Sequence, residues 1–215
     1  MKFLLVRALC GILKRHVNTE NMSLALKVYC KKVSKDMIPR IMKRLNDFDM
    51  VVSVHPDFKF DADEDSGFLP FKFIFKKPHL DTLKNKELKS GFELYIDEFD
   101  LQNEKEKLKP KLSFFDKLFG KKQQEVFYAT SDIEARLKEC KIAISFVWHA
   151  SDSFALRFAS LTSAILTELT NGVCSYEDET WYENKNIVEN AFKEVTEYEQ
   201  TITEAELDFM EFDEW

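Results

Sequence analysis

Aromatic and charged side chains alternate along residues 68–77, which read FLPFKFIFKK. Phe71, Phe73 and Phe75 occupy every second position, and Lys72 and Lys76 fall between or beside them. A period of two places one set of side chains on the dry face of a strand and the other set in water. The stretch therefore predicts a half-buried strand in a sheet with one wet face, which is typical of antiparallel sheets.

Similar patterns along the chain predict further strands and helices. Alternation or short apolar runs predict five more strands, in residues 24–33, 55–61, 91–101, 141–152 and 173–182. Apolar residues at helical spacing predict four helices, in residues 34–48, 131–140, 153–172 and 188–198. The strand at 141–152 is apolar on both faces, which indicates a central position. The predicted fold class is α+β, a mostly antiparallel sheet with helices packed on one face.

The composition fits one sizeable core, because 45% of the side chains are hydrophobic and 20 are Phe. We expect a single α+β domain at 22–203 with an insertion at 102–125, and an acidic-aromatic tail at 204–215. Residues 1–21 are either an extension outside the native domain, with Met22 rather than Met1 as the start, or a short amphipathic helix. The apolar part of the insertion, FFDKLF, suits a short helix packed on its own domain, or a segment that docks on a membrane or partner.

Metal and disulfide chemistry find little support in the residue pattern. The stretch DADEDSG, residues 61–67, opens like a calcium loop, but Ser66 takes the place of the required Gly and Lys72 that of the bidentate Glu. We expect a hairpin loop that binds no calcium. Four Cys lie far apart without a CxxC pair, which predicts reduced thiols in a cytoplasmic protein and no metal or other cofactor. No stretch approaches the roughly 20 apolar residues that span a bilayer, so no stable membrane insertion is expected.

Catalytic motifs are equally scarce. His149 lies near Ser151 and Asp152 in the sequence, yet no GxSxG elbow, HExxH pair or Gly-rich phosphate loop occurs. The more economical interpretation of His149 is a polar residue at the end of a strand. The sequence therefore predicts no catalytic, cofactor-binding or metal-binding residue, and a protein that is not an enzyme.

The negative charge is concentrated near the C-terminus. Residues 176–215 hold 14 Asp and Glu against two Lys, a net charge of −12 in a chain whose total is −7. Residues 1–175 therefore carry +5. Because nucleic-acid binding needs clustered Lys and Arg, this distribution argues against a nucleic-acid ligand. It is compatible with a basic protein partner.

Large aromatic residues interrupt this acidic region in two places. Trp181 and Tyr182 follow an acidic run, and the tail EAELDFMEFDEW interleaves aromatic and acidic residues. Such residues either close the core or serve as contact hot spots, and for the tail the two alternatives are packing on the domain and binding a basic groove as a free segment. The partner-binding candidates are Glu177, Asp178, Trp181, Tyr182, Asp208, Glu211, Phe212, Asp213, Glu214 and Trp215.

Residues 143–182 resemble a diverse group of bacterial immunity proteins that neutralise polymorphic and type VI secreted toxins. In that group a strand is followed by an Ala-rich helix and then by a TGG-V-x-D-x-x-x-x-W/Y turn and strand. Here the turn is TNGV, residues 170–173, with Asn171 where a first Gly is common; Glu177, Asp178, Trp181 and Tyr182 follow it. The resemblance concerns packing rather than a chemical motif.

What the resemblance implies is a cytoplasmic, non-catalytic inhibitor that binds one cognate toxin. An acidic inhibitor suits a basic toxin domain, including a nuclease, because proteins that hold phosphates carry Lys and Arg. The alternatives from the residues alone are an intracellular enzyme of unrecognised type and a structural adaptor.

Overall fold

A computed structural model describes residues 23–58, 67–110, 126–149, 151–177 and 179–215. Residues 1–21, most of the predicted calcium-like loop, residues 111–125 of the insertion and Asp178 lie outside this part. The elements are, in order, β1 (Ser23–Cys30), α1 (Met37–Asn46), β2 (Met50–Val54), β3 (Gly67–Phe75), a 3-10 turn (Asp81–Leu83), β4 (Leu88–Glu98), α2 (Leu101–Leu108), α3 (Ser131–Leu137), β5 (Ile142–His149), α4 (Ala155–Thr170), β6 (Val173–Tyr176), β7 (Thr180–Trp181), α5 (Ile187–Glu199) and β8 (Met210–Glu211).

The strands form one antiparallel sheet in the order β2-β3-β4-β5-β1-β6-β7, and β8 pairs with β4. β5 lies at the centre between β4 and β1, as its apolar faces predicted. In β3 the alternation holds, since Phe71, Phe73 and Phe75 are buried while Lys72 and Ile74 are half-buried. The predicted α+β class with an antiparallel sheet is confirmed.

Helices α1, α4 and α5 pack on one face of this sheet and enclose the main core. Helix α4 is buried along most of its length, and its Phe158 ring stacks on Phe71 at a centroid distance of 4.7 Å. Arg157, on the same helix, is also buried. Its guanidinium donates to both carboxylate oxygens of Glu199, at 2.8 and 2.6 Å, and to Asp49 at 2.7 Å, which ties α4 to α5 and to the start of β2.

A smaller core lies on the opposite face, at one end of the sheet. Tyr29 and Val173 point away from the main core here and pack against Leu137 of α3 and Leu101 of α2. Elsewhere no described helix covers this face, which we call the open face, and Phe68 and other large side chains on it are exposed. The sheet therefore has one covered face and one largely free face.

Two of the predicted strands differ from the observed ones. The partner of β3 is Met50–Val54 rather than residues 55–61, because Met50 and Val52 alternate into the core and the chain turns at residues 56–57. The stretch 173–182 forms two short strands instead of one. Glu177 adopts a left-handed φ of 51° between them, which reverses the chain.

The TNGV turn after α4 has a packing role. Asn171 ends the helix with a left-handed φ of 51°, as its sequence predicted. A Cβ atom at Gly172 would lie 2.5 Å from the carbonyl oxygen of Tyr29, so only glycine fits there. The carbonyl oxygen of Gly172 accepts hydrogen bonds from Arg136 and Asn184, which fix the start of β6.

Candidate partner-binding surface

The predicted partner-binding residues fall into two groups that are far apart. The group at 177–182 lies at the β6–β7 end of the sheet, and the tail pairs with β4. Three strands, β5, β1 and β6, separate β4 from β7, which corresponds to roughly 19 Å across the sheet. A single small site therefore does not contain both groups.

The C-terminal tail is docked on the domain. The Asp208 N–H donates to Ser153 Oγ at 2.9 Å, and the Ser153 N–H donates to the Asp208 carbonyl oxygen at 3.0 Å. Leu207 and Phe209 then pack against the main core, and β8 pairs with the start of β4. Of the two alternatives for this segment, packing on the domain is the observed one.

The end of the tail crosses towards the open face of the sheet. The Phe212 N–H donates to the Glu87 carbonyl oxygen at 2.8 Å, and its ring lies 4.6 Å from Lys72 Nζ. Trp215 contacts Phe212 and His55 edge-on, at centroid distances of 5.1 and 5.5 Å. With 41% of its surface exposed, Trp215 is a surface side chain rather than part of the core.

Lysines of the domain already pair with the acidic groups of the tail. Lys86 forms an ion pair with Glu211, and Lys89 lies 3.8 Å from an Asp213 carboxylate oxygen. Lys89 also donates to the carbonyl oxygen of Glu214 at 3.3 Å. Part of the negative charge of the tail is therefore already paired within the chain, which makes the tail a weaker candidate for binding a basic partner.

In the other group, both aromatic side chains serve packing. Trp181 is half-buried, with ring centroids 5.8 Å from Tyr29 and 6.0 Å from Tyr128. Tyr182 is buried in the main core, and its N–H donates to the Cys174 carbonyl oxygen. The core-closing interpretation of these two rings is the one that the structure supports.

Carboxylates of the β6–β7 hairpin and of α5 act on neighbouring tyrosines, since, besides burial, Glu177 and Glu179 raise the pKa of Tyr176 and Glu194 raises that of Tyr182. We call the following residues the acidic edge: Glu177, Glu179, Glu183, Glu194 and Glu197. Glu177 accepts a hydrogen bond from the Ala25 N–H at 2.7 Å, and Glu197 lies 3.8 Å from Lys193. Among the described residues, Glu179, Glu183 and Glu194 have neither a hydrogen bond nor an ion pair from their side chains. Part of the negative charge at this edge is therefore not paired with a cation.

Glu194 is the most unusual member of the acidic edge. It is half-buried on α5, and burial, with Glu197 adding to it, raises the pKa of its carboxyl group to about 7; Lys193 opposes the effect. Burial also raises the pKa of Tyr182, and Cys174 and Glu194 add to that effect. Neither Glu194 nor Glu197 was among the sequence candidates, although Glu194 follows Ala191 by three residues and so borders the apolar stripe of α5.

His149 and Asp152, which are close in the sequence, have different side-chain partners. Asp152 is half-buried and accepts hydrogen bonds from Ser90 Oγ at 2.7 Å and from the Phe154 N–H at 2.8 Å, and burial raises its pKa. His149 is on the open face, 3.5 Å from a Glu93 carboxylate oxygen. The Cys174 thiol is buried, which raises its pKa to about 12.

In the ranges that the structure describes, no three or more His, Cys, Asp and Glu side chains group in a way that could hold a metal ion. No helix of those ranges has the length and apolar character needed to cross a membrane.

Comparisons of the chain with protein-family models, with curated proteins and with solved structures gave no match.

Proposed function

We propose that this chain is a cytoplasmic immunity protein, a non-catalytic inhibitor that binds a basic cognate toxin domain through the acidic edge. The observation that carries the proposal is the set of carboxylates at Glu179, Glu183 and Glu194, which make no side-chain hydrogen bond or ion pair with the described residues. Besides burial, Glu197 contributes to the raised pKa of Glu194, which indicates repulsion between these two carboxylates, and a basic surface would relieve it on binding.

The fold around the acidic edge supports the same proposal. The segment that resembles immunity proteins runs from β5 through α4 and the TNGV turn to β7, and it ends at the acidic edge. Its helix and turn are packing elements, with Gly172 against Tyr29, so they hold the β6–β7 hairpin in a fixed position. A rigid scaffold that presents charged loop residues suits an inhibitor, because little ordering is then needed on binding.

A second candidate function is an adaptor that binds through the open face of the sheet. Val51, Phe68 and Tyr95 lie on this face, with exposed fractions of 54%, 53% and 38%. Aromatic residues are enriched at contact sites, and exposed large apolar groups on one surface often mark an interface. The adaptor hypothesis predicts a partner held by these side chains and little dependence on the acidic edge.

Co-expression with the protein encoded by the neighbouring gene tests the proposal, with growth rescue and co-purification as readouts. We expect rescue by the natural chain and slower association for the double variant Glu179→Lys and Glu183→Lys. The matched control is Asp97→Lys and Glu98→Lys, which changes the net charge equally at an exposed site on β4. Equal loss in both variants, or none in either, would contradict a role for the acidic edge.

A further inference from the structure

A narrow cleft opens beside Glu194, where α5 meets α4 and strands β1 and β6. Ala164, Ile187 and Ala191 are among its apolar lining residues, and the lining also includes four residues with polar side chains: Ser160, Ser163, Tyr182 and Glu194. The cleft is thus a mostly apolar pocket whose lining includes one carboxylate. Such a site suits a group that has an aliphatic stem and a cationic head.

Ser160 provides a second polar group inside the cleft. The residue is only 6% exposed, and within the described ranges its hydroxyl group makes no hydrogen bond. Its neighbour Ser163 differs, because the Ser163 hydroxyl donates to the Ser160 carbonyl oxygen at 3.0 Å. The Ser160 hydroxyl group is not among the fully buried unpaired atoms, so it keeps some exposure and is available to a polar group of a ligand.

The size of the cleft limits what that group can be. The cleft has a cavity volume of about 20 Å³. Roughly 10 to 15 Å³ is enough to hold one group of the size of a water molecule. An ammonium group is compact and has three donors, whereas a guanidinium group is planar, larger and has five. The cleft therefore suits an ammonium group better than a guanidinium group.

We propose that this cleft binds the ammonium group of a lysine side chain of the partner, between the Glu194 carboxylate and the Ser160 hydroxyl group. That the lysine belongs to a basic protein rests on the proposed function, whereas the presence of an amine-binding site does not. Ala191 and Ile187 would contact the aliphatic stem of the lysine. The raised pKa of Glu194 agrees with this, because burial and Glu197 outweigh Lys193, and an ammonium group in the cleft would lower it.

The test uses the full chain and n-butylammonium, followed by NMR of the Glu194 carboxyl group and of the amide groups of α5. We expect saturable binding at millimolar concentration, a lower pKa for Glu194, and weaker binding of n-butylguanidinium. Glu194→Gln should weaken amine binding at least tenfold and Ser160→Ala severalfold, while Asp97→Asn should not change it. Absence of saturation, or equal binding by Glu194→Gln, would overturn the inference.

Partner binding gives a separate readout. If Glu194→Gln also accelerates release of the co-purified partner, the lysine assignment is supported; if it leaves release unchanged, the assignment is overturned while the proposed function stands. If butylammonium binds as expected but no partner co-purifies and growth is not rescued, the proposed function fails and the amine site stands.

Discussion

Replacing Glu194 with glutamine should stabilise the folded chain at pH 8 but not at pH 4. The folded-state pKa of about 7 lies above the ordinary value of 4.5. Between these two pH values the folded chain keeps a proton that the unfolded chain has released. The stability of the natural chain therefore falls as the pH rises through this window and stays low above it. Glutamine does not titrate, so the variant avoids the loss.

The magnitude follows from the same two pKa values. At about 1.4 kcal/mol per pH unit, the interval from 4.5 to about 7 corresponds to about 3 kcal/mol. Because the side chain is only partly buried and water screens its charge, we halve this figure to about 1.5 kcal/mol. For a chain of this length, that corresponds to a rise in Tm of roughly 3 to 6 °C.

Urea unfolding at pH 4 and pH 8 measures the difference, with Asp97→Asn as the control for removing an exposed charge. The groups that face Glu194 are Glu197 and Lys193 on α5, and Cys174 and Tyr182 opposite; burial raises the pKa of both opposite groups and keeps them protonated in this range. A gain in stability that is equal at both pH values, or absent at pH 8, would mean that the pKa of Glu194 is not raised in the folded chain.

Three further predictions concern stability and are checked by urea or thermal unfolding. Arg157→Met should cost about 3 to 5 kcal/mol because it leaves Glu199 charged and buried, and adding Glu199→Leu should restore most of the loss; no recovery in the double variant would contradict this. Truncation after Thr203 should lower stability by about 2 to 4 kcal/mol because it removes β8 and two side chains that pack on the core; unchanged stability would mean that the tail is not held. Gly172→Ala should cost more than about 2 kcal/mol, since its methyl group would meet backbone 2.5 Å away; a near-neutral effect would contradict the close approach.

Local periodicity was sufficient to predict those strands and helices that bury one face. The Phe71, Phe73 and Phe75 alternation predicted β3, and the apolar spacing of residues 153–172 predicted α4 with its left-handed end at Asn171. It failed at β2, because residues 55–61 alternate as well as residues 50–54 do, and the choice depends on which set pairs with β3. Register is a tertiary property that the local pattern does not contain.

The candidate site was less accessible to sequence reasoning. The acidity near the C-terminus was visible in the sequence. The sequence did not show that carboxylates of the tail pair with Lys86 and Lys89, which are more than 100 residues away in the chain, whereas carboxylates of the acidic edge do not. The border position of Glu194 on α5 was also visible. Its cleft was not, because Ser160 comes from another helix and is brought there by packing.

Hydrogen exchange of the chain in complex with its co-purified partner tests the acidic edge most directly. If the partner binds at the acidic edge, amide exchange should slow in α5 and in residues 179–185, with little change in β3 and the tail. Protection confined to β3, β4 and the tail, with α5 unchanged, would exclude the acidic edge and favour the open face of the sheet as the binding surface.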